Sequence, residues 1–157
     1  MTSEETFMGE AVAAAREGAA RGDGGPFGAV VVRDGKIISR AWNRVLLDRD
    51  PTAHAEVNAI RDAARALGSF RLESCDLYTS CEPCPMCLGA VYWSGVRRVY
   101  YAATREDADA IGFSDARLYR EFGLAPEARS VPFVRTASVE AQEVMRTWLK
   151  DARHRLY

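Results

Sequence analysis

The chain has 157 residues, 48% of them apolar and 27% charged, and 21 basic against 22 acidic side chains leave a formal net charge of −1. That size and balance fit one folded domain over 1–157. They argue against a chain that tracks nucleic-acid phosphates, which usually carries a basic excess. No run is apolar enough to cross a bilayer, and the start Met1-Thr2-Ser3-Glu4-Glu5 lacks the basic and apolar regions of a signal peptide, so a cytoplasmic location is the default expectation.

Thr2-x-x-Glu5 forms a capping box, and Phe7, Met8, Ala11, Ala15 and Ala19 recur at helical spacing, which predicts a helix over 4–20. Gly22-Asp23-Gly24-Gly25-Pro26 breaks it. Asp34-Gly35 between Ala29–Val32 and Lys36–Arg40 predicts a hairpin. A loop then runs to Asp50-Pro51, where an Asp cap and a Pro at the first helical position predict a second helix, with Val57, Ile60, Ala64 and Leu67 on one face and Gly68 as its stop. Cys75–Thr79 is a predicted strand, 85–94 a short helix ended by Gly95, and Arg98–Ala102 another strand. Asp115–Phe122 is predicted helical and Val131–Arg135 a last strand. Ser138 caps a final helix carrying Ala141, Val144, Met145, Trp148 and Ala152. The alternation predicts an α/β fold of three layers, helices on both faces of a mixed sheet of roughly five strands. The basic stretch 146–155 needs no nucleic acid to explain it, because cations at a helix end complement its dipole.

The chemistry concentrates in two short segments. His54-Ala55-Glu56 is followed, 27 positions after Glu56, by Pro83-Cys84-Pro85-Met86-Cys87. His54, Cys84 and Cys87 make three zinc ligands; a purely structural site would take four, so a position stays open for water and one Zn2+ per chain is expected. Both segments fall at predicted helix N-termini, where the dipole favours thiolates and disfavours a protonated imidazole. Glu56 misses the capping-box position whether Asp50 or Thr52 caps the helix, which leaves it free for proton transfer. Cys81-x-x-Cys84-x-x-Cys87 imitates an iron–sulfur run, but no fourth cysteine follows. Cys75 and Cys81 are expected as buried thiols, with Cys81 the alternative fourth ligand of a structural zinc in an interaction module.

Pro51-Thr52-Ala53-His54-Ala55-Glu56 and Cys81–Ala90 resemble the cytidine-deaminase-like superfamily, whose signature is H-x-E…P-C-x-x-C. Gly24–Ala29, Val91-Tyr92-Trp93, Gly112-Phe113-Ser114-Asp115 and the terminal Tyr157 extend the resemblance, over nearly the whole chain, to the small bacterial guanine deaminases of that superfamily. The resemblance implies a cytidine-deaminase-like fold and zinc-dependent hydrolysis of guanine to xanthine and ammonia, with Glu56 as the proton carrier. It places Asn43, Asp115, Phe27, Trp93, Ala55 and Tyr157 on the substrate side, with Glu82 a further contact. Asn43 offers a purine edge both donor and acceptor, and ionised Asp115 only accepts, which suits guanine N1–H. Phe27 and Trp93 would be flat walls for the ring. The resemblance also implies a homodimer that exchanges its C-terminal segments, helix and tail 138–157, with Tyr157 closing the partner's pocket.

A tRNA adenosine deaminase shares the same zinc segments but should need a basic surface for the anticodon loop. Deamination of cytosine, isoguanine, a triazine or guanosine is also compatible with these motifs.

Overall fold

Thr2 opens the first helix, α1 (Ser3–Arg21): its side chain accepts the Glu5 N–H, and the Glu5 carboxylate accepts the Thr2 N–H in return. Gly22, left-handed at φ 74°, ends it. The computed structural model describes Thr2–Leu156, in two compact units that divide between Asp115 and Ala116.

In the first unit, β1 (Gly28–Arg33) and β2 (Lys36–Trp42) form the predicted hairpin, with Asp34 and Gly35 both at positive φ as its two-residue turn demands. β3 (Cys75–Cys81) runs antiparallel to β1, and β4 (Arg98–Ala103) runs parallel to β3, giving a mixed sheet of order β2-β1-β3-β4. The parallel pair is joined through α4 (Pro85–Ser94), as a crossover requires.

β1 is central, so its two faces feed two cores. Ala29 and Val31 point one way, with Leu77 of β3, into a cluster with Ala59 and Ala63 of α3 (Ala55–Leu67) and Val91 of α4. Val30 and Val32 point the other way, onto Ala11 of α1 and Tyr78. Full burial of a side chain such as Val31 or Leu77 is worth about 1.5–3 kcal/mol. A Cβ at Gly28 would collide with the α1 backbone at Ala11 and Ala15, so glycine there sets how closely helix and sheet approach. Helices therefore cover both faces, as predicted.

Three predictions differ. The second helix begins at Ala55, not Pro51: Asp50 Oδ1 accepts both the N–H and the hydroxyl of Thr52 at 2.7 Å, a local turn that holds 50–54 out of the helix and makes His54 the cap residue. Two short helices were not foreseen, α2 (Val45–Asp48) and α5 (Arg105–Ala110), the latter opened by a Thr104/Asp107 capping box. The sheet has four strands among the described residues, not five. Val131–Arg135 joins no ladder; Pro132 has no N–H to donate, and Val131, Phe133 and Val134 are exposed.

The second unit carries α6 (Ala116–Phe122), a 3-10 turn (Pro126–Ala128) and α7 (Val139–Lys150), capped by the Ser138 hydroxyl as foreseen. None of its described residues is buried. No helix among the described residues is long and apolar enough to cross a membrane.

Candidate active site

Two helix N-termini meet at one end of the sheet. His54 caps α3, with Ala55 and Glu56 in its first turn; Cys84 caps α4, with Pro85 at the first helical position and Cys87 one turn on. Both cap side chains turn towards a common point with Cys87. His54 Nδ1 lies 3.5 Å from each of the two sulfurs, and the sulfurs lie 3.5 Å apart. The centre of that triangle is about 2.0 Å from each corner, within a few tenths of an ångström of the bonds zinc makes to imidazole nitrogen and thiolate. His54, Cys84 and Cys87 are the only metal-competent cluster among the described residues. Cys81 is not part of it: its thiol points to the Thr104 carbonyl at 3.4 Å, and burial pushes its pKa up to about 11. The fourth-ligand alternative therefore fails here. Cys75 is a fully buried core thiol.

The electrostatics of the donor set follow from contact. A hydrogen bond from the Cys87 thiol, reinforced by His54, holds Cys84 well below the usual thiol range, while the same bond and burial raise Cys87. The Cys84 hydrogen bond raises His54, against the opposing pull of burial. The nearer thiolate thus acts on His54 in the opposite sense to the helix dipole. A metal held by this triangle would compete with the proton for Nδ1. The raised imidazole value means that the proton stabilises the metal-free fold fully below 6.5 and that this contribution fades as pH rises through the folded value. The metal works in the opposite sense. Zinc affinity, measured by chelator competition at pH 8, 7 and 6, is expected to fall at each step down; a flat profile would show that Nδ1 is not a ligand.

Glu56 is 5% exposed and does not join the triangle. Thr79 donates its hydroxyl to Oε1 at 3.2 Å, and the Cys87 thiol faces Oε2 at 3.4 Å. Burial, more than any neighbour, pushes its carboxyl up. The carboxylate sits next to the metal corner, polar-anchored, and suited to hold a proton as well as release one.

One cleft contains these groups. Phe27, Asn43, His54, Glu56, Cys84 and Asp115 line it, with Cys81, Glu82, Ala108 and Phe113. Asn43 is buried, and its Oδ1 accepts the N–H groups of Gly25 (3.3 Å) and Val45 (3.2 Å), so what it offers a ligand is its amide N–H2 rather than both functions. A Cβ on Gly24 would collide with Asn43, so glycine at 24 is a condition of that placement. Burial and the Cys84 charge raise Asp115. Glu82 accepts the Arg105 N–H at 3.2 Å, tying the cysteine segment to α5.

Trp93 is 68% exposed on α4 and is not among the residues lining the cleft. The aromatic partner of Phe27 is instead Phe113, edge to face with centroids 5.0 Å apart. Ala55 is fully buried in the core cluster and likewise does not line the cleft. Tyr157 lies outside the described residues. Thr79 and Phe113 were given no role from sequence. Period-two alternation along β3 was the usable signal for Thr79, since it shares the face of Leu77 that packs on α3.

An α/β/α sheet that sets a metal-competent His/Cys/Cys cluster beside a buried carboxylate at one cleft defines a hydrolytic deaminase. Residues 1–103 match the model of the cytidine and deoxycytidylate deaminase zinc-binding region. The chain belongs to that family. It is 48% identical over 155 residues to the guanine deaminase of Bacillus subtilis (strain 168), covering 99% of both chains. The solved structure of guanine deaminase from Bacillus subtilis superposes with a TM-score of 0.95 over 98% of each chain. A tRNA-specific adenosine deaminase of Agrobacterium fabrum is 37% identical over 155 residues, covering 98% of both chains. A solved tRNA:A34 deaminase is 38% identical at a TM-score of 0.66, covering 87% of this chain and 100% of the other.

Proposed function

We propose that this chain is a zinc-dependent aminohydrolase that converts guanine and water to xanthine and ammonia. The observation that carries the assignment is the cleft lined by His54 and Cys84 of the metal-competent triangle, the buried Glu56 carboxylate, the Asn43 amide and the Asp115 carboxylate, with Cys87 buried behind it. The fuller likeness to a guanine deaminase than to the tRNA deaminases supports it, as does a net charge of −1 that offers no general basic surface for RNA.

When bound by His54, Cys84 and Cys87, zinc is the Lewis acid that makes water a nucleophile at neutral pH. Glu56 takes a proton from the attacking water as its oxygen bonds to C2 of the purine, and delivers that proton to N3. The same carboxylate then moves the remaining hydroxyl proton to the 2-amino group. The C2–N bond breaks, ammonia leaves and the C2 carbonyl of xanthine forms. Thr79 keeps Glu56 aimed for both transfers. Asn43 donates to an acceptor on the base, Asp115 accepts from N1–H, and Phe27 with Phe113 walls the ring.

We further infer a homodimer with exchanged C-terminal segments, 138–157. α7 leaves Val144 68%, Met145 72% and Leu149 60% exposed, and such a helix needs a covering surface. Light scattering at micromolar concentration is expected to give twice the chain mass; a monomeric mass would end the exchange model.

The assignment is tested by ammonia release across guanine, adenine, cytosine, guanosine and a tRNA anticodon stem-loop. Guanine is the expected substrate. An inert guanine with a deaminated stem-loop would replace it with the RNA assignment.

A further inference from the structure

The first unit holds a second concavity that deamination does not use. A cavity of about 310 Å³ is lined by four arginines from three places: Arg40 on β2, Arg44 at the start of α2, and Arg61 and Arg65 one turn apart on α3. That volume is at the lower end of small-molecule sites, roughly 300–1,000 Å³. Two carboxylates, Asp48 and Asp62, line the same walls. Asn58 fixes the wall by donating to the carbonyls of Trp42 and Ala53, both at 3.1 Å.

The arginines are not idle, and the quality of their pairs decides the matter. Arg40 is held by Glu17 at 2.9 Å and Glu10 at 3.4 Å. Arg44 meets Asp48 at 2.9 Å and Arg65 meets Asp62 at 3.0 Å, both between neighbours along the chain. Arg61 reaches Asp50 only at 3.9 Å, and that carboxylate is already engaged by Thr52. The side chains of Arg44, Arg61 and Arg65 are 45%, 48% and 75% exposed, and solvent-exposed pairs of this kind contribute little. A phosphate, with several oxygens open to bidentate guanidinium contacts, displaces such partners.

We propose that this groove is a polyphosphate site for the di- or triphosphate of a nucleotide. The Arg40 guanidinium turns to Glu10 and Glu17 of α1, so the groups available to a ligand are those of Arg44 at the start of α2 and of Arg61 and Arg65 one turn apart on α3, which suit an extended small anion. Their confinement to one cavity, rather than a stripe across the surface, suits a small molecule better than a nucleic-acid backbone.

Titration calorimetry of the zinc-loaded full chain with pyrophosphate, ADP and adenosine tests it. Pyrophosphate and ADP are expected to bind saturably with an affinity that falls as salt rises, and adenosine is not. Equal affinities for pyrophosphate and ADP assign the source to the phosphates alone; tighter ADP assigns it to a nucleotide. Arg61→Ala with Arg65→Ala is expected to weaken pyrophosphate about tenfold or more while zinc content and Tm stay at wild-type values. Asp48→Asn, which removes a competing carboxylate, is expected to tighten it. No saturable heat up to about 5 mM pyrophosphate, or an unchanged affinity in the double variant, would overturn the site. So would binding of an anticodon stem-loop through these arginines in place of pyrophosphate, which would make the groove an RNA contact.

Discussion

Glu56→Gln is expected to lower kcat for guanine by about a thousandfold or more, within the range that a positioned acid–base group supplies, while zinc content stays at one per chain. The amide keeps the shape, and its oxygen still accepts the Thr79 hydroxyl, so the side chain stays in place. It loses the ability to take a proton from water and return one to the ring and the leaving amine. Stability should move the other way. Burial raises the Glu56 carboxyl above its ordinary 4.5, so its stabilising, protonated form is fully present below that value and is lost as pH rises through the folded value. At pH 7.5 the neutral amide replaces a buried carboxylate that favours protonation, and Tm of the metal-free chain is expected to hold or rise. Thr79→Val gives the partial version: about a tenfold loss in kcat with KM nearly unchanged, recovered in Thr79→Ser. A Glu56→Gln enzyme that retains turnover would remove the proton carrier from the mechanism. Loss of zinc in the same variant would make Glu56 a ligand.

How much of this was legible in the residues follows from how local each signal is. The metal triangle was, because both halves are short segments whose ligands are fixed by a helix start: His54 and Cys84 are cap residues, and Cys87 follows one turn after Cys84. The hairpin at Asp34-Gly35 and the stops at Gly22, Gly68 and Gly95 were legible for the same reason, since left-handed backbone there favours glycine or a short polar residue. The start of α3 was misplaced because Asp-Pro-Thr serves a turn as readily as a cap, and the side chain of Asp50 settles on Thr52. The cleft walls were legible only in part. Trp93 and Phe113 are both aromatic and both near motif residues, yet only the fold puts Phe113 against Phe27. A predicted fifth strand at Val131–Arg135 has the composition of a strand and no ladder among the described residues, because β-pairing depends on a partner edge that local sequence does not specify. The arginine groove was invisible for a related reason. Residues 40, 44, 61 and 65 look like ordinary surface charge until β2, α2 and α3 bring them to one cavity.

Asp115→Asn is expected to cost about 10- to 100-fold in kcat/KM for guanine, the range of a hydrogen bond to a charged group, and distinctly less for 2-aminopurine. In the proposed function guanine would present N1–H to this position, where a carboxylate accepts it with charge assistance. 2-Aminopurine carries the same 2-amino leaving group, but its N1 is an acceptor that faces the carboxylate lone pairs. Asparagine can turn its N–H2 to that N1, so the substitution removes a repulsion from one substrate and an attraction from the other. Asn43 does not compensate, because its oxygen is already committed to the N–H groups of Gly25 and Val45. The ionisation of Asp115 enters too. Burial raises its carboxyl, and a protonated Asp115 would no longer hold N1–H as an anion. Its hold on guanine is therefore expected to fade as pH drops through the folded value, which lies above the ordinary 3.8, whereas the asparagine variant has no such limb. Steady-state kinetics of both proteins on both bases, from pH 5 to 8, separate the two effects. Equal losses on guanine and 2-aminopurine would mean that Asp115 shapes the cleft without choosing the base.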